Sequence, residues 1–218
     1  MTHRSIDAPT DQIVDVSRNL VDATGRDIDM AQDDAAADWA EICSQRHLQV
    51  FESINHDLAR RIGAVITDIG TREKLSVTIA VHLGEQLVFH TALDGTTAAH
   101  DGWVRRKRRT TLLYDAPSLE VALSLQISGR RPDWLDPRKY AVAGGAVPLR
   151  VGGATVGVVT VSGLTSSARA DHDLVVRGLT DVRRDLLAPT GATPLSPDAY
   201  VAQHEWAAAS KPRRNPAI

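Results

Sequence analysis

The sequence predicts an α/β domain of the α+β type, with a central antiparallel sheet and flanking helices. Two stretches, 75–89 and 146–161, show the alternating hydrophobic pattern of β-hairpins. Helical patterns separate the hairpins, but strands and helices do not alternate regularly, so a doubly wound nucleotide-binding fold is not favoured. With 218 residues, of which 43% are hydrophobic and 24% charged, the chain fits one globular domain with extensions.

Two helices are predicted before the first hairpin. The first covers residues 35–50. The second follows Asn55, whose side chain can accept a hydrogen bond from the free amides of a first helical turn. Its apolar residues recur at helical spacing and predict one buried face, formed by Leu58, Ile62, Val65, Ile66 and Ile69.

Each hairpin has a recognisable turn. In the first, Val77, Ile79 and Val81 alternate with other residues before a turn at Gly84. In the second, the pair Gly152-Gly153 supplies the positive φ angles that a two-residue primed turn requires. The sequence therefore predicts four strands in two antiparallel pairs.

Three further helices complete the predicted domain. Two of them, over residues 103–114 and 118–127, lie between the hairpins and are separated by Pro117. The last follows the second hairpin and starts at Asp171, a favourable capping residue. Its apolar side consists of Leu174, Val175, Leu179, Val182 and Leu186.

The two ends of the chain differ from the domain in composition. Residues 1–34 are rich in aspartate, yet Ile13, Val16 and Leu20 recur at helical spacing, which indicates an amphipathic acidic arm that docks on a neighbour. Residues 189–218 are rich in proline, alanine and charged residues and are expected to be a tail. The predicted domain thus covers residues 35–188.

Composition excludes several classes of protein. A net charge of −2 disfavours a dedicated nucleic-acid binder, whose domain usually has a basic excess. Cys43 is the single cysteine and cannot form an intrachain disulfide, and no stretch resembles a signal peptide or a membrane span. We expect a cytoplasmic protein with neither a nucleic-acid nor a membrane partner.

A run of five cations, Arg105 to Arg109, is the most unusual feature of the sequence. Five consecutive positions pass all the way round a helix at about 100° per residue, so at least one cation must face a pocket, a subunit interface or an acidic partner. Lys107 stands four residues after Trp103, on the same helix face. With Arg106, this pair would suit an anionic, carboxylate-bearing small molecule; an interface of salt bridges is the alternative.

Glycines and histidines supply the other candidates. Gly144 and Gly145 could form an anion-binding nest or a tight turn before an edge strand. His100 beside Asp101 is a candidate acid/base pair. The remaining histidines have structural interpretations: His82 and His90 as strand residues, His172 as a capping aid. No histidine or cysteine spacing predicts a metal site.

An ordered set of short motifs resembles one family. The motifs are Gly95-Thr96-Thr97, Asp101, Trp103, Arg105-Arg106-Lys107, Tyr140-Ala141, Gly144-Gly145, Pro148, Thr160-Val161-Ser162-Gly163-Leu164 and Asp171-His172. This set resembles the "heme-degrading domain" branch of the haem-degrading-domain superfamily (GlcG/HbpS-like). The resemblance implies a profilin-like antiparallel sheet with packed helices, assembly into homo-oligomers, and relatives that bind haem.

Two departures from the family pattern stand out. The family commonly has Pro-Asp-Asn-Asp before its tryptophan, where this chain has Ala98-Ala99-His100-Asp101. It also usually has a third glycine before the proline, where this chain has Ala146. The first departure places a titratable imidazole beside a carboxylate where relatives have an amide.

These observations lead to three functional hypotheses. The first is a haem- or small-carboxylate-binding protein, compatible with redox or haem-handling activity, whose pocket is lined by His100, Asp101, Trp103, Arg106, Lys107, Gly144 and Gly145. The second is a cofactor-independent isomerase or lyase that uses His100 and Asp101 as acid and base. The third is a non-enzymatic oligomeric protein that binds partners. The sequence leaves open whether the protein is an enzyme.

Overall fold

The computed structural model describes residues 20–21, 27–28 and 32–187. Its elements are β1 (Leu20–Val21), β2 (Asp27–Ile28), α1 (Gln32–Ser44), a 3-10 helix (Gln45–Gln49), β3 (Val50–Phe51), α2 (His56–Arg72), β4 (Thr78–Leu83), β5 (Gln86–Ala92), α3 (Ala98–Tyr114), α4 (Ser118–Ser128), β6 (Ala146–Val151), β7 (Ala154–Ser162) and α5 (Ala170–Leu187). A compact unit ends at Arg183, and the residues from Arg184 onward form a second unit, of which the structure describes only the end of α5.

A five-stranded sheet in the order β3-β6-β7-β4-β5 forms the centre of the domain. All neighbours in it are antiparallel except β3 and β6, a short parallel pair. Both predicted hairpins are present, with positive φ angles of 53° at Gly84, 56° at Gly152 and 87° at Gly153. The predicted fold class, a central sheet with flanking helices, is confirmed.

One face of the sheet packs against α2 and α5 and is apolar. Alternate residues of β4, β6 and β7 join the buried sides of both helices in a single core; its fully buried members are Ala59, Ile62, Ile66, Val77, Ile79, Val81, Leu149, Val159, Val161, Val175, Leu179 and Val182. Gly178 lets the two helices approach, since a Cβ there would lie 2.3 Å from Ile66 Cγ1. The helical stripes predicted from the sequence form or border this core, except Leu186, which is 47% exposed.

Helix α3 covers the opposite face, which is more polar. The buried residues of α3 are Val104, Lys107, Thr110 and Thr111. The strand residues on this side include the buried Thr78, Ala80, Thr160 and Ser162, which alternate with the apolar core residues. Helices α1 and α4 pack together around a second, smaller cluster formed by Ala35, Ile42, Leu119 and Leu123.

Several predicted boundaries are wrong for identifiable reasons. Helix α1 ends at Ser44 instead of position 50, because Val50 and Phe51 pair with β6 and Phe51 enters the core. Helix α3 begins at Ala98, five residues before the predicted start at 103, because Thr97 provides its N-cap.

The ends of the chain fall largely outside the described residues. The predicted acidic arm and tail lie there, apart from strands β1 and β2 and the first residues of α1. Leu20, which the sequence pattern assigns to a helix, lies in β1 and pairs with Ile28.

Candidate functional site

Lys107 and Asp171 form a buried ion pair. The Lys107 side chain is 1% exposed, and its Nζ lies 2.6 Å from Asp171 Oδ2 and 3.2 Å from the carbonyl oxygen of Val161. The other carboxylate oxygen of Asp171 accepts a hydrogen bond from the Leu164 amide at 2.9 Å. The pair therefore joins α3, β7 and α5, and Asp171 is not the N-cap that the sequence predicts.

Gly144 and Gly145 lie against this ion pair and are buried. A Cβ on Gly145 would lie 2.4 Å from the Val161 carbonyl oxygen and 3.2 Å from Lys107 Nζ, and φ at Gly145 is 116°. A Cβ on Gly144 would lie 2.8 Å from the Ala168 carbonyl oxygen. The two glycines allow the chain to approach the ion pair closely, as a tight turn before β6 would, and Lys107 faces Asp171 in the interior instead of a pocket.

His100 and Asp101, the predicted acid/base pair, have different partners. His100 Nδ1 accepts a hydrogen bond from the Thr97 amide at 2.9 Å and completes a capping box at the start of α3. Asp101 Oδ1 instead lies 2.7 Å from His90 Nε2. The imidazole–carboxylate pair of this protein is thus His90–Asp101, formed between β5 and the first turn of α3.

The His90–Asp101 pair is accessible because α3 covers the inner strands of the sheet and leaves β5 open. His90 lies opposite Ala80 in the ladder, on the α3 side of the edge strand. The side chains of His90 and Asp101 are 38% and 33% exposed, so each can contact a ligand from solvent.

A second histidine lies near the pair on the neighbouring strand. Burial, together with the nearby Arg108 guanidinium, lowers the pKa of His82, and the proximity of His90 acts in the same direction. Arg108 donates hydrogen bonds to the Gly84 carbonyl at 2.7 Å and to Glu85 at 3.0 Å. Burial therefore favours the neutral form of His82, which lies beside a partly open, polar surface.

Trp103 stacks with Arg106 instead of Lys107. The guanidinium carbon of Arg106 lies 4.0 Å from the centroid of the Trp103 ring, and the side chain also donates to the Pro137 carbonyl at 3.2 Å. Burial lowers the pKa of Arg106. Arg105 and Arg109 are exposed. Trp103 and Arg106, both partly buried, form a platform on the side of α3 that faces Pro137, whereas Asp101 faces β5.

His172 has no capping role either. Its side chain is buried, and Nε2 lies 3.0 Å from Gln45 Oε1 of the 3-10 helix. In the part of the chain that the structure describes, no group of three or more His, Cys, Asp or Glu side chains is arranged to hold a metal ion. No described helix is long and apolar enough to cross a membrane.

Comparison with known proteins identifies both a family and a fold. Residues 54–180 match the family described as haem degrading protein HbpS-like. A UPF0303 protein of Brucella canis is 35% identical over 157 residues, covering 70% of this chain and 92% of the relative. Another, from Paraburkholderia xenovorans, is 36% identical over 150 residues, covering 67% and 90%.

Three crystal structures share the fold at low sequence identity. Ybr137w has a TM-score of 0.61 and 20% identity, covering 69% of this chain and 92% of its own. HbpS has a TM-score of 0.50 and 21% identity, covering 59% and 89%. PduOC, solved as a haem complex, has a TM-score of 0.52 and 13% identity, covering 59% and 94%.

Proposed function

This chain belongs to the haem degrading protein HbpS-like family, and from that premise we propose that it binds haem or another planar, carboxylate-bearing small molecule beside the His90–Asp101 pair. That pair is the observation on which the proposal rests. The haem complex of PduOC, a protein of similar fold, supports haem as the ligand class. His90 takes the place that the sequence pattern gives to His100.

The geometry of His90 fits a ligand of haem iron. An imidazole that binds a metal usually donates its second ring N–H to a carboxylate, which fixes the tautomer and raises the basicity of the ligating nitrogen. The Nε2 of His90 is 2.7 Å from Asp101, and among the described residues Nδ1 has no hydrogen-bond partner. One imidazole nitrogen is therefore oriented and available. Haem would supply redox chemistry at its iron.

Positive charge near the pair suits the carboxylates of such a ligand. Arg105 is exposed one turn after Asp101 and can bind a carboxylate in water. The Trp103–Arg106 stack does not belong to this surface, because Trp103 lies about 200° round α3 from Asp101 and Arg106 binds the Pro137 carbonyl. The N-terminus of α3 adds a positive electrostatic potential at the same end. Lys107, Gly144 and Gly145 support this surface from the interior and do not line it.

The experiment is a hemin titration followed by the Soret band. Wild-type protein is expected to shift the band with saturation, and His90→Ala to weaken binding by at least about tenfold because the oriented nitrogen is lost. His100→Ala is the matched control: it removes a histidine from the same end of α3 and should leave hemin affinity within about twofold, because His100 is occupied by the cap. An unchanged hemin spectrum, or loss of binding in His100→Ala alone, would exclude the proposed site.

The same pair supports a second candidate, an acid/base enzyme without a cofactor. A partly exposed imidazole that is held by a carboxylate can take up and release a proton from a bound metabolite. His90 and Asp101 would then replace His100 and Asp101 in that role. A protein that ignores hemin, but whose turnover of a small carboxylic acid falls at least about a hundredfold in His90→Ala, would establish this alternative.

We also propose a homo-oligomer of the bacterial cytoplasm. The relatives named above with their organisms are bacterial. Exposed Leu113 at the end of α3 and Trp134, which is 62% exposed and stacks on Tyr114, leave apolar surface that a second copy could cover. The net charge of −2 does not favour a nucleic-acid partner.

A further inference from the structure

Three hydroxyl groups lie together in the layer between α3 and the sheet. Thr78 on β4 is directly opposite Ser162 on β7, and Thr160 lies two residues before Ser162 on the same face. All three residues are 0% exposed. They therefore form a fully buried polar row on two adjacent strands.

None of these hydroxyls has a hydrogen-bond partner among the described residues. Leaving a buried hydroxyl unpaired is unfavourable, and buried polar groups in folded proteins are almost always paired with protein or with ordered water. One unpaired hydroxyl would be unremarkable, but three neighbours on one face indicate a common partner.

Lys107 brings a further donor to the same place. Its ammonium has three N–H groups, of which one is directed to Asp171 and one to the carbonyl of Val161. Val161 stands between Thr160 and Ser162 in β7, so this ammonium binds the strand segment that carries two of the three hydroxyls. The third N–H can serve the same partner as the hydroxyls.

The neighbouring side chains are small, which favours a small bound molecule in this layer over direct packing of side chains. Ala80 and Ala146 both lie opposite Thr160, on β4 and β6, and neither fills a helix–sheet layer as valine or isoleucine would. A buried water needs two to four polar partners and space for about one water-sized sphere, roughly 10–15 Å³. The hydroxyl row meets the first requirement.

We propose that Thr78, Thr160, Ser162 and the third N–H of Lys107 form an internal water-binding site beneath α3. Water bound there hydrates the α3 side of the sheet, whereas the α2 and α5 side remains dry. This inference is independent of the ligand proposed for His90 and concerns a different layer of the molecule.

Near-isosteric substitutions test the site. If water binds, Thr78→Val, Thr160→Val and Ser162→Ala each remove one of its partners and should lower the folding equilibrium constant about fivefold in urea denaturation. Thr110→Val is the matched control, because this buried hydroxyl has a known protein partner, the Ala141 carbonyl at 2.8 Å, and its loss should cost a similar factor. If the hydroxyls are truly unpaired, the Thr78 and Thr160 variants should be as stable as the wild type or more stable, which overturns the proposal.

A high-resolution crystal structure gives the second measurement. It should show water oxygen density within hydrogen-bonding distance of at least two of the three hydroxyls. Destabilised variants without such density would mean that the hydroxyls bind the protein itself, and the water site would be rejected.

Discussion

The ammonium of Lys107 lies 2.6 Å from the carboxylate of Asp171, at the point where α3, β7 and α5 meet. Both side chains are almost completely removed from solvent, at 1% and 6% exposure. The Leu164 amide and the Val161 carbonyl complete the hydrogen bonds of the two groups. Residues from three of the motifs that resemble the family thus meet in one buried structural cluster.

Removing one charge of this pair should be severely destabilising. Lys107→Met leaves the Asp171 carboxylate buried without its cation, and such losses typically cost about 3–5 kcal/mol of unfolding free energy. Adding Asp171→Asn neutralises the remaining charge and should recover part of the loss. Arg109→Met, on the exposed side of the same helix, should change stability by less than about 0.5 kcal/mol. Urea denaturation of the wild type and these three variants measures the differences. Equal stability of the Lys107→Met and Arg109→Met variants would contradict the structural role of Lys107.

Substitution by alanine should have opposite effects on stability at two glycines of the domain. Gly145→Ala places a Cβ 2.4 Å from the Val161 carbonyl oxygen, at a φ of 116°, and should strongly destabilise or unfold the protein. Gly102→Ala, within helix α3, meets no atom within 4 Å and should raise stability by about 0.5–1 kcal/mol through helix propensity. Thermal unfolding of both variants checks this, and a stable Gly145→Ala protein would show that the close approach does not exist.

The helix cap at His100 gives a third prediction. His100→Ala removes half of the capping box and should lower stability by about 1 kcal/mol, because the Thr97 amide loses its acceptor. His90→Ala affects only a partly exposed pair and should cost less. Denaturation midpoints of the two variants decide this, and the opposite ranking would mean that His90 is the structural residue.

The sequence predicts the fold well because its signals are local. The Gly152-Gly153 turn and the alternation of Val77, Ile79 and Val81 need no knowledge of distant residues, and both hairpins are present. The errors arise where tertiary contacts override local pattern. Val50 continues a helical pattern, but pairing with Arg150 draws it into a strand.

The site is less predictable because it depends on tertiary contacts. His100 lies in the first turn of α3 and His90 lies in β5, and only the packing of that helix on the sheet decides which one meets Asp101. The run of cations indicates correctly that one of them is buried and needs an anion, and the structure selects Lys107 with Asp171, 64 residues away. No spacing rule in a single sequence could supply that pairing.

Assembly provides a fourth prediction. Light scattering should report a homo-oligomer at micromolar concentration, because apolar Leu113 and Trp134 remain exposed on one copy. Leu113→Glu should weaken assembly, whereas Leu87→Glu, at a leucine that is 51% exposed on β5, is the control and should not. A wild-type protein that stays monomeric would contradict the proposal.

The last prediction concerns acid stability and His172. Burial lowers the pKa of this histidine from its ordinary 6.5 to about 4, with the nearby Arg169 guanidinium acting in the same direction. The neutral ring has a physical explanation: Nε2 pairs with Gln45 Oε1, while Nδ1 is buried and has no partner among the described residues, so a second proton could not be accommodated.

Because the folded state binds this proton less readily than the unfolded state, stability falls as the pH decreases from about 6.5 towards 4 and levels off below that. A shift of this size corresponds to about 3 kcal/mol. His172→Leu removes the titrating group and should flatten this part of the curve of unfolding free energy against pH, even if it lowers stability at neutral pH through loss of the Gln45 bond. If the variant keeps the same slope between pH 6.5 and 4, other groups are responsible for the acid sensitivity, and the buried ring is protonated in the folded protein without penalty.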